Sequence, residues 1–236
     1  MPEISIKAEP LFKIAGFPVT NSLFTSFIVF LLFLLLGIIY SKQAKVKKKS
    51  KLVLFVNFLL KTIYQLFESI LKEKTVIFFP VFGAFFLYIL LNNWFGLLPG
   101  IGSLLINRSP IFRGNNADLN ATISLAIIAF ILIQANGIRY LGGKGYLKKF
   151  FNISNPINFF VGILETISEF SKIISFSFRL FGNIFAGEVL ITIIAFLIPV
   201  LVTFPFLILE VFVGLIQALV FSMLSAVFLN VAISHH

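Results

Sequence analysis

Between residues 157 and 196 the chain is mostly apolar, and a single arginine, Arg179, stands near the middle of that run. Written as one helix the run would be ~60 Å long, about twice the hydrocarbon core of a bilayer. It therefore has to tilt steeply, bend, or travel partly along a membrane. The guanidinium keeps its charge, because its pKa lies above ~12. Placing it at bilayer depth costs between ~2.5 and ~17 kcal/mol, depending on the treatment. A charge held at that cost calls for a functional partner.

The rest of the chain agrees with a membrane setting. Of 236 residues, 59% are hydrophobic and 12% charged, whereas a soluble domain is nearer ~45–50% apolar and ~25% charged. There is no cysteine, so disulfides and thiolate metal sites are excluded. The only histidines are the terminal pair, His235 and His236, and no metal or other cofactor is expected from them. A net charge of +10 is one mark of nucleic-acid binding, but its location here assigns it to membrane topology. Lys42, Lys45, Lys47, Lys48, Lys49 and Lys51 directly follow an uncharged run, 22–40, that is ~28 Å long as a helix. The run at 23–39 lacks the basic front flank and small-residue cleavage site of a signal peptide.

The expected fold is an all-α polytopic membrane protein with about five membrane helices and one interfacial amphipathic helix. Residues 1–21 form an outer arm, irregular or lying on the surface, and 22–51 the first span with a basic inner loop. In 52–73, Asn57, Lys61, Gln65, Glu68 and Lys72 share one stripe at ~100° per residue, which predicts a helix lying in the interface. Residues 74–141 hold the second and third spans, with Trp94 at headgroup level and a Gly/Pro/Asn-containing outer loop between them. Arg139, Lys144, Lys148 and Lys149 mark a second basic loop, ending at 156. Residues 157–236 make the two last, longest helices, with Pro199 and Pro205 bracketing their junction. The basic loops put the amino terminus outside and the carboxyl terminus inside.

Projected at ~100° per residue, Asn158, Glu165, Glu169, Lys172, Arg179 and Asn183 fall within an arc of roughly 80°. A stripe that narrow faces protein or water rather than lipid. Glu188 lies about 100° outside it and so addresses a different compartment. Glu165, Glu169 and Lys172 also read as an ordinary charge set near the inner surface, with the lysine snorkelling. Asn183 and Gln217 also read as hydrogen-bond partners for neighbouring helices. Arg179 has no carboxylate one turn away: its neighbours there are Ser175, Phe176, Gly182 and Asn183. On the last helix Glu210, Gly214 and Gln217 share a face. If the two long helices form an antiparallel hairpin, Glu188 and Glu210 both lie near its outer end, where two carboxyls could relay protons.

The run Ser175-Phe-Ser-Phe-Arg-Leu-Phe-Gly-Asn-Ile-Phe-Ala-Gly-Glu188 closely resembles the signature of subunit a of F-type ATP synthases. Phe17-Pro-Val-Thr-Asn-Ser22, Phe95-Gly-Leu-Leu-Pro99, Ala117-Asp-Leu-Asn-Ala-Thr122 and Leu215-Ile-Gln-Ala-Leu-Val-Phe221 resemble other landmarks of that family, so the likeness spans nearly the whole chain. The resemblance implies a proton-translocating stator, not an enzyme by itself, whose last two helices lie steeply tilted as a hairpin beside an oligomeric ring of subunit c. It implies a subunit b peripheral stalk and the other ATP synthase subunits as further partners, within a lipid bilayer. Arg179 matches the essential ring-facing arginine, and Asn183 a polar neighbour of it. Glu188, Glu210 and Gln217 match the outer half-channel; Ser175, with Lys172 and Glu165, matches positions near the inner one. Some bacterial members carry histidine at the position of Glu210, so two carboxylates share the work here. Asn21, where some members carry aspartate, is a further candidate for the path. The basic loops fit a bacterial plasma membrane, with an organelle inner membrane as the alternative. A self-contained secondary transporter would usually show paired repeats with broken helices, and a passive scaffold would leave Arg179 without a reason.

Overall fold

The computed structural model describes residues 8–14, 16–46, 50–98, 100, 104–106, 109–150, 155–198 and 201–234. Glu3, Lys7, Lys47–Lys49, Pro99, Arg108, Pro199 and the pair His235–His236 lie outside the described residues. Helices dominate: α1 (Asn21–Ala44), α2 (Lys51–Leu71), α3 (Thr75–Gly96), α4 (Leu119–Leu141), α5 (Gly143–Phe150), α6 (Pro156–Leu197) and α7 (Thr203–Ser234). Among the described residues five helical stretches are long and apolar enough to cross a membrane. They are α1, the α2–α3 stretch, α4, α6 and α7. The chain is thus an all-α polytopic membrane protein.

Helix boundaries follow from local chemistry. The Thr20 hydroxyl accepts from the Leu23 N–H (3.3 Å) and opens α1. Ser50 does the same for α2 through the Val53 N–H (3.3 Å). Helix α2 stops where Lys72 adopts φ 51°, a left-handed conformation rare for a residue with a side chain. A 3-10 turn, Lys72–Lys74, then leads into α3. Asp118 opens α4 by accepting from the Asn120 N–H (3.0 Å). Pro156 starts α6, where a missing N–H does no harm.

Two expectations are refined. The amino-terminal arm is not wholly irregular: β1 (Pro10–Ile14) and β2 (Phe17–Thr20) pair antiparallel, turning at Gly16, whose φ of 84° suits a residue without a side chain. The second basic loop contains α5, which docks on α4 and α6. Tyr146 of α5 lies against Gly137 of α4, leaving no room there for a larger residue.

The molecule is apolar outside and partly polar inside, the reverse of a soluble protein. Ile157, Leu201 and Phe58 are 77%, 82% and 67% exposed, while Asn92, Asn116, Ser222 and Ser225 are fully buried. Helix α7 is central, packing on α2, α3, α4 and α6. Its inward side carries Gly214, Ala218, Ser222, Ser225 and Ala226, small residues that let backbones approach closely where lipid removes most of the hydrophobic drive. Both serine hydroxyls bond back to their own helix, to Ala218 and Phe221 carbonyls (each 2.8 Å). Phenylalanines fill the wider gaps: Phe176 of α6 meets Phe221 and Phe228 of α7 at ring separations of 5.1 and 5.6 Å. Helix α6 continues without interruption for 42 residues. With α7, which packs along it after a short connection, it forms the closing hairpin.

The helices define two ends. One carries the β1–β2 hairpin, a short β3 (Leu105–Ile106) and β4 (Ser109–Pro110) ladder and a 3-10 turn at Asn115–Ala117. The other, the basic end, carries Lys42, Lys45, Lys72, Lys74, Arg139 and Lys144. Gly96 and Gly114 touch backbone to backbone at the first end, where any side chain would intrude.

Candidate functional site

The arc of polar residues on α6 divides in three dimensions. Arg179, Asn183 and Ser175 are exposed on its outer flank, away from α4 and α7. One guanidinium nitrogen of Arg179 donates to the Ser175 hydroxyl (3.2 Å). Among the described residues no carboxylate lies within ion-pair distance of it. Phe178, the preceding residue, is 55% exposed, so this charge sits in an apolar surface.

The basic half of the arc turns inward instead. Glu169 is buried; its Oε1 pairs with Lys172 Nζ (2.6 Å) and its Oε2 accepts from Gln134 Nε2 of α4 (2.9 Å). Tyr146 of α5 donates to Gln134 Oε1, extending the chain of contacts. Burial, then the nearby Glu169 and Glu165 carboxylates, pushes the Tyr146 hydroxyl up to about 12, so it remains a donor at any ordinary pH. Lys172 Nζ also lies 4.6 Å from the Phe228 ring centre. Asn158 is exposed at the start of α6.

Two glutamates lie on α6 and α7 near the hairpin-bearing end. Glu210 is 6% exposed and its carboxyl lies directly on the backbone of Gly187; a Cβ there would overlap it. Glu188 is the next residue along α6 and is half-buried. Glu188 Oε2 and Glu210 Oε1 are both buried without a hydrogen-bond partner. Gln217, about two turns farther along α7, is half-buried.

Sequence reasoning missed what surrounds this pair. Arg113 from the loop before α4 is 8% exposed. Its guanidinium donates to the Ala117 carbonyl (3.4 Å) and acts electrostatically on Glu188. Nearby, Asn116 Nδ2 donates to Asn93 Oδ1 (2.6 Å), and Asn93 Nδ2 donates to the Gly214 carbonyl (2.8 Å). This bridge joins the loop, α3 and α7. Asn92 Oδ1 and Asn116 Oδ1 remain buried and unsatisfied. Four orphaned polar oxygens at one end of a helical bundle favour water there. The adjacent pair Asn92-Asn93 inside an apolar run was a signal available in the sequence.

Asn21 takes a different place. It is 1% exposed; its Oδ1 accepts from Glu9 N (3.2 Å) and Ser22 N (2.9 Å), and its Nδ2 donates to the Pro110 carbonyl (3.2 Å). Those bonds tie the amino-terminal hairpin to the loop before α4.

Five apolar spans, two buried glutamate oxygens without a hydrogen-bond partner at one end and an arginine exposed on an apolar face define a polytopic membrane protein that carries charged groups on its apolar helices. The family described as ATP synthase A chain matches residues 23–230, and the chain belongs to that family. It is 29% identical to ATP synthase subunit a of Legionella pneumophila over 236 residues, covering 100% of this chain and 96% of that protein. It is 32% identical to the chloroplastic ATP synthase subunit a of Stigeoclonium helveticum, with 99% and 93% covered. To ATP synthase subunit a of Moorella thermoacetica it is 30% identical, with 95% of each covered. The chain is thus similar to membrane-sector subunits of ATP synthase, which implies other ATP synthase subunits as its partners.

Proposed function

We propose that this chain is the stator subunit of a rotary ATP synthase, providing two ion half-channels and a fixed positive charge against a ring of c subunits. The observation that carries the reading is Arg179: exposed on an apolar helix face, bonded to the Ser175 hydroxyl, and without a carboxylate of the described residues within ion-pair distance. Its counter-ion then comes from outside, as the membrane carboxylate of each arriving ring subunit. The guanidinium favours the ionised form of that carboxylate, so the ring acid gives up its proton to water on one side. The same charge bars a proton from passing straight between the half-channels.

One half-channel enters at the hairpin-bearing end, through Glu188, Glu210 and Gln217, with Asn183 leading to the ring face. The orphaned oxygens at that end support a hydrated passage. The other leaves past Ser175 toward the basic end, with Lys172 and Glu165 along its wall. Asn21 serves as a brace for the outer loop in this scheme rather than as a carrier. A peripheral stalk of subunit b holds the stator against rotation. The basic end faces the inside of a bacterial plasma membrane, or the equivalent side of an organelle inner membrane, with the amino terminus outside.

The test is Arg179→Ala in the assembled complex. ATP-driven proton pumping and coupled ATP synthesis are expected to be lost while the complex still purifies intact. Arg179→Lys should fail almost as completely, because lysine lacks the guanidinium fork and can deprotonate. Full coupling in either variant overturns the reading.

A further inference from the structure

Helix α6 has to present Arg179 at one angle, yet most of its packed side does little to fix that angle. Glu169 is the one charged residue that α6 buries; the others, from Gly162 to Gly187, are glycine, serine or apolar. Small and apolar surfaces can slide over one another in lipid, where burial supplies little drive between helices. A carboxylate with directed partners cannot. At ~100° per residue Glu169 lies about 80° round the axis from Arg179, so whatever holds Glu169 also sets the bearing of the guanidinium.

Three elements converge on this carboxylate. Helix α4 ends at Gly142, whose φ of 75° turns the chain back, and α5 folds onto α4 and α6. That return sets the Tyr146 hydroxyl on Gln134 Oε1, and Gln134 Nε2 donates in turn to Glu169 Oε2 (2.9 Å). Lys172 Nζ donates to Oε1 (2.6 Å) and rests 4.6 Å from the Phe228 ring centre of α7. The chain of bonds has a direction: tyrosine gives to an amide oxygen, the amide nitrogen gives to the carboxylate, and lysine takes the other oxygen. Turning α6 until Arg179 pointed inward would break the Gln134 bond. It would also carry the anion to where Phe170 now stands, 60% exposed.

We propose that Tyr146, Gln134 and Glu169 are positioning residues: through them α5 clasps α6 against rotation and sets the outward bearing of Ser175 and Arg179. The purpose of the clasp rests on the stator reading; its geometry does not.

The experiment uses the assembled complex and compares Ser175→Cys with Ser177→Cys, sites two residues apart on α6, the first exposed and the second buried. A small methanethiosulfonate reagent should modify the first at least about tenfold faster. Gln134→Leu keeps the bulk and severs both bonds. It should bring the two rates within about threefold of each other and cut ATP-driven pumping about tenfold or more. Gln134→Glu combined with Glu169→Gln exchanges the partners. Tyrosine then gives to a carboxylate, the new amide nitrogen at 169 gives to that carboxylate, and Lys172 gives to the amide oxygen. Every bond is remade, so the rate contrast and the pumping should both return to within about twofold of the parent. Should Gln134→Leu assemble poorly, Tyr146→Phe, which keeps the ring beside Gly137 and loses only the hydroxyl, should narrow the contrast about threefold. Equal rates in the parent, an undiminished contrast in Gln134→Leu or Tyr146→Phe, or an exchanged pair no better than Gln134→Leu overturns the clasp. Thiol rates do not depend on ion flow, so a complex that pumped nothing yet kept this pattern would sink the stator reading and leave the clasp standing.

Discussion

Single residues divide sharply in how far the sequence alone could place them. Arg179 stood out because an arginine in a long, mostly apolar run, with no carboxylate one turn away, has no ordinary explanation. Glu188 and Glu210 were legible as charges, and their placement near one end of the hairpin followed once a hairpin was assumed. That the Glu210 carboxyl rests on Gly187, and that Arg113 is buried at the same end, was not. Arg113 belongs to a polar loop, where a cation raises no question until its burial is seen. Positioned acids of this kind contribute about 10²-fold or more to proton transfer. Glu188→Gln with Glu210→Gln is therefore expected to slow proton entry from the hairpin-bearing side by at least about that factor. Passive proton conductance of the reconstituted complex measures it, and an unchanged rate removes both residues from the path.

At the level of elements, existence and length came through while facing did not. Apolar run lengths located every span, and the polar stripe on α2 marked it as amphipathic. The ~80° arc on α6 was real as an arc, yet it straddles the edge of the contact with α4. Glu169 turns in to Gln134 and Arg179 stays out, a split that depends on where the neighbours stand. The β1–β2 hairpin escaped notice because Pro10 and Pro18 mask its alternation. The α6–α7 contact gives a test of packing. A methyl at Gly187 meets the Glu210 carboxyl, so Gly187→Ala should destabilise the hairpin by about 1–3 kcal/mol and impair pumping. Gly37→Ala, with nothing within 4 Å of the new carbon, should be neutral or stabilise by up to about 1 kcal/mol. Thermal unfolding of the two purified variants separates these outcomes; equal midpoints refute the packing account.

For the molecule as a whole, five spans were countable from the sequence, but the central place of α7 was not, since small residues on one face look unremarkable in isolation. The orientation proposed from the basic end can be checked directly, because the chain has no cysteine of its own. Single cysteines at Lys45 and Lys144 should react with an impermeant maleimide from one side only, and one at Lys13 from the opposite side. Labelling of all three from the same side refutes the arrangement. The bare arginine on the flank of α6 also bears on manufacture. A solitary copy newly inserted in lipid holds that charge against hydrocarbon, so isolation is its expensive condition. Timely meeting with its neighbours relieves the penalty, and the schedule on which a cell makes these parts becomes a matter of electrostatics.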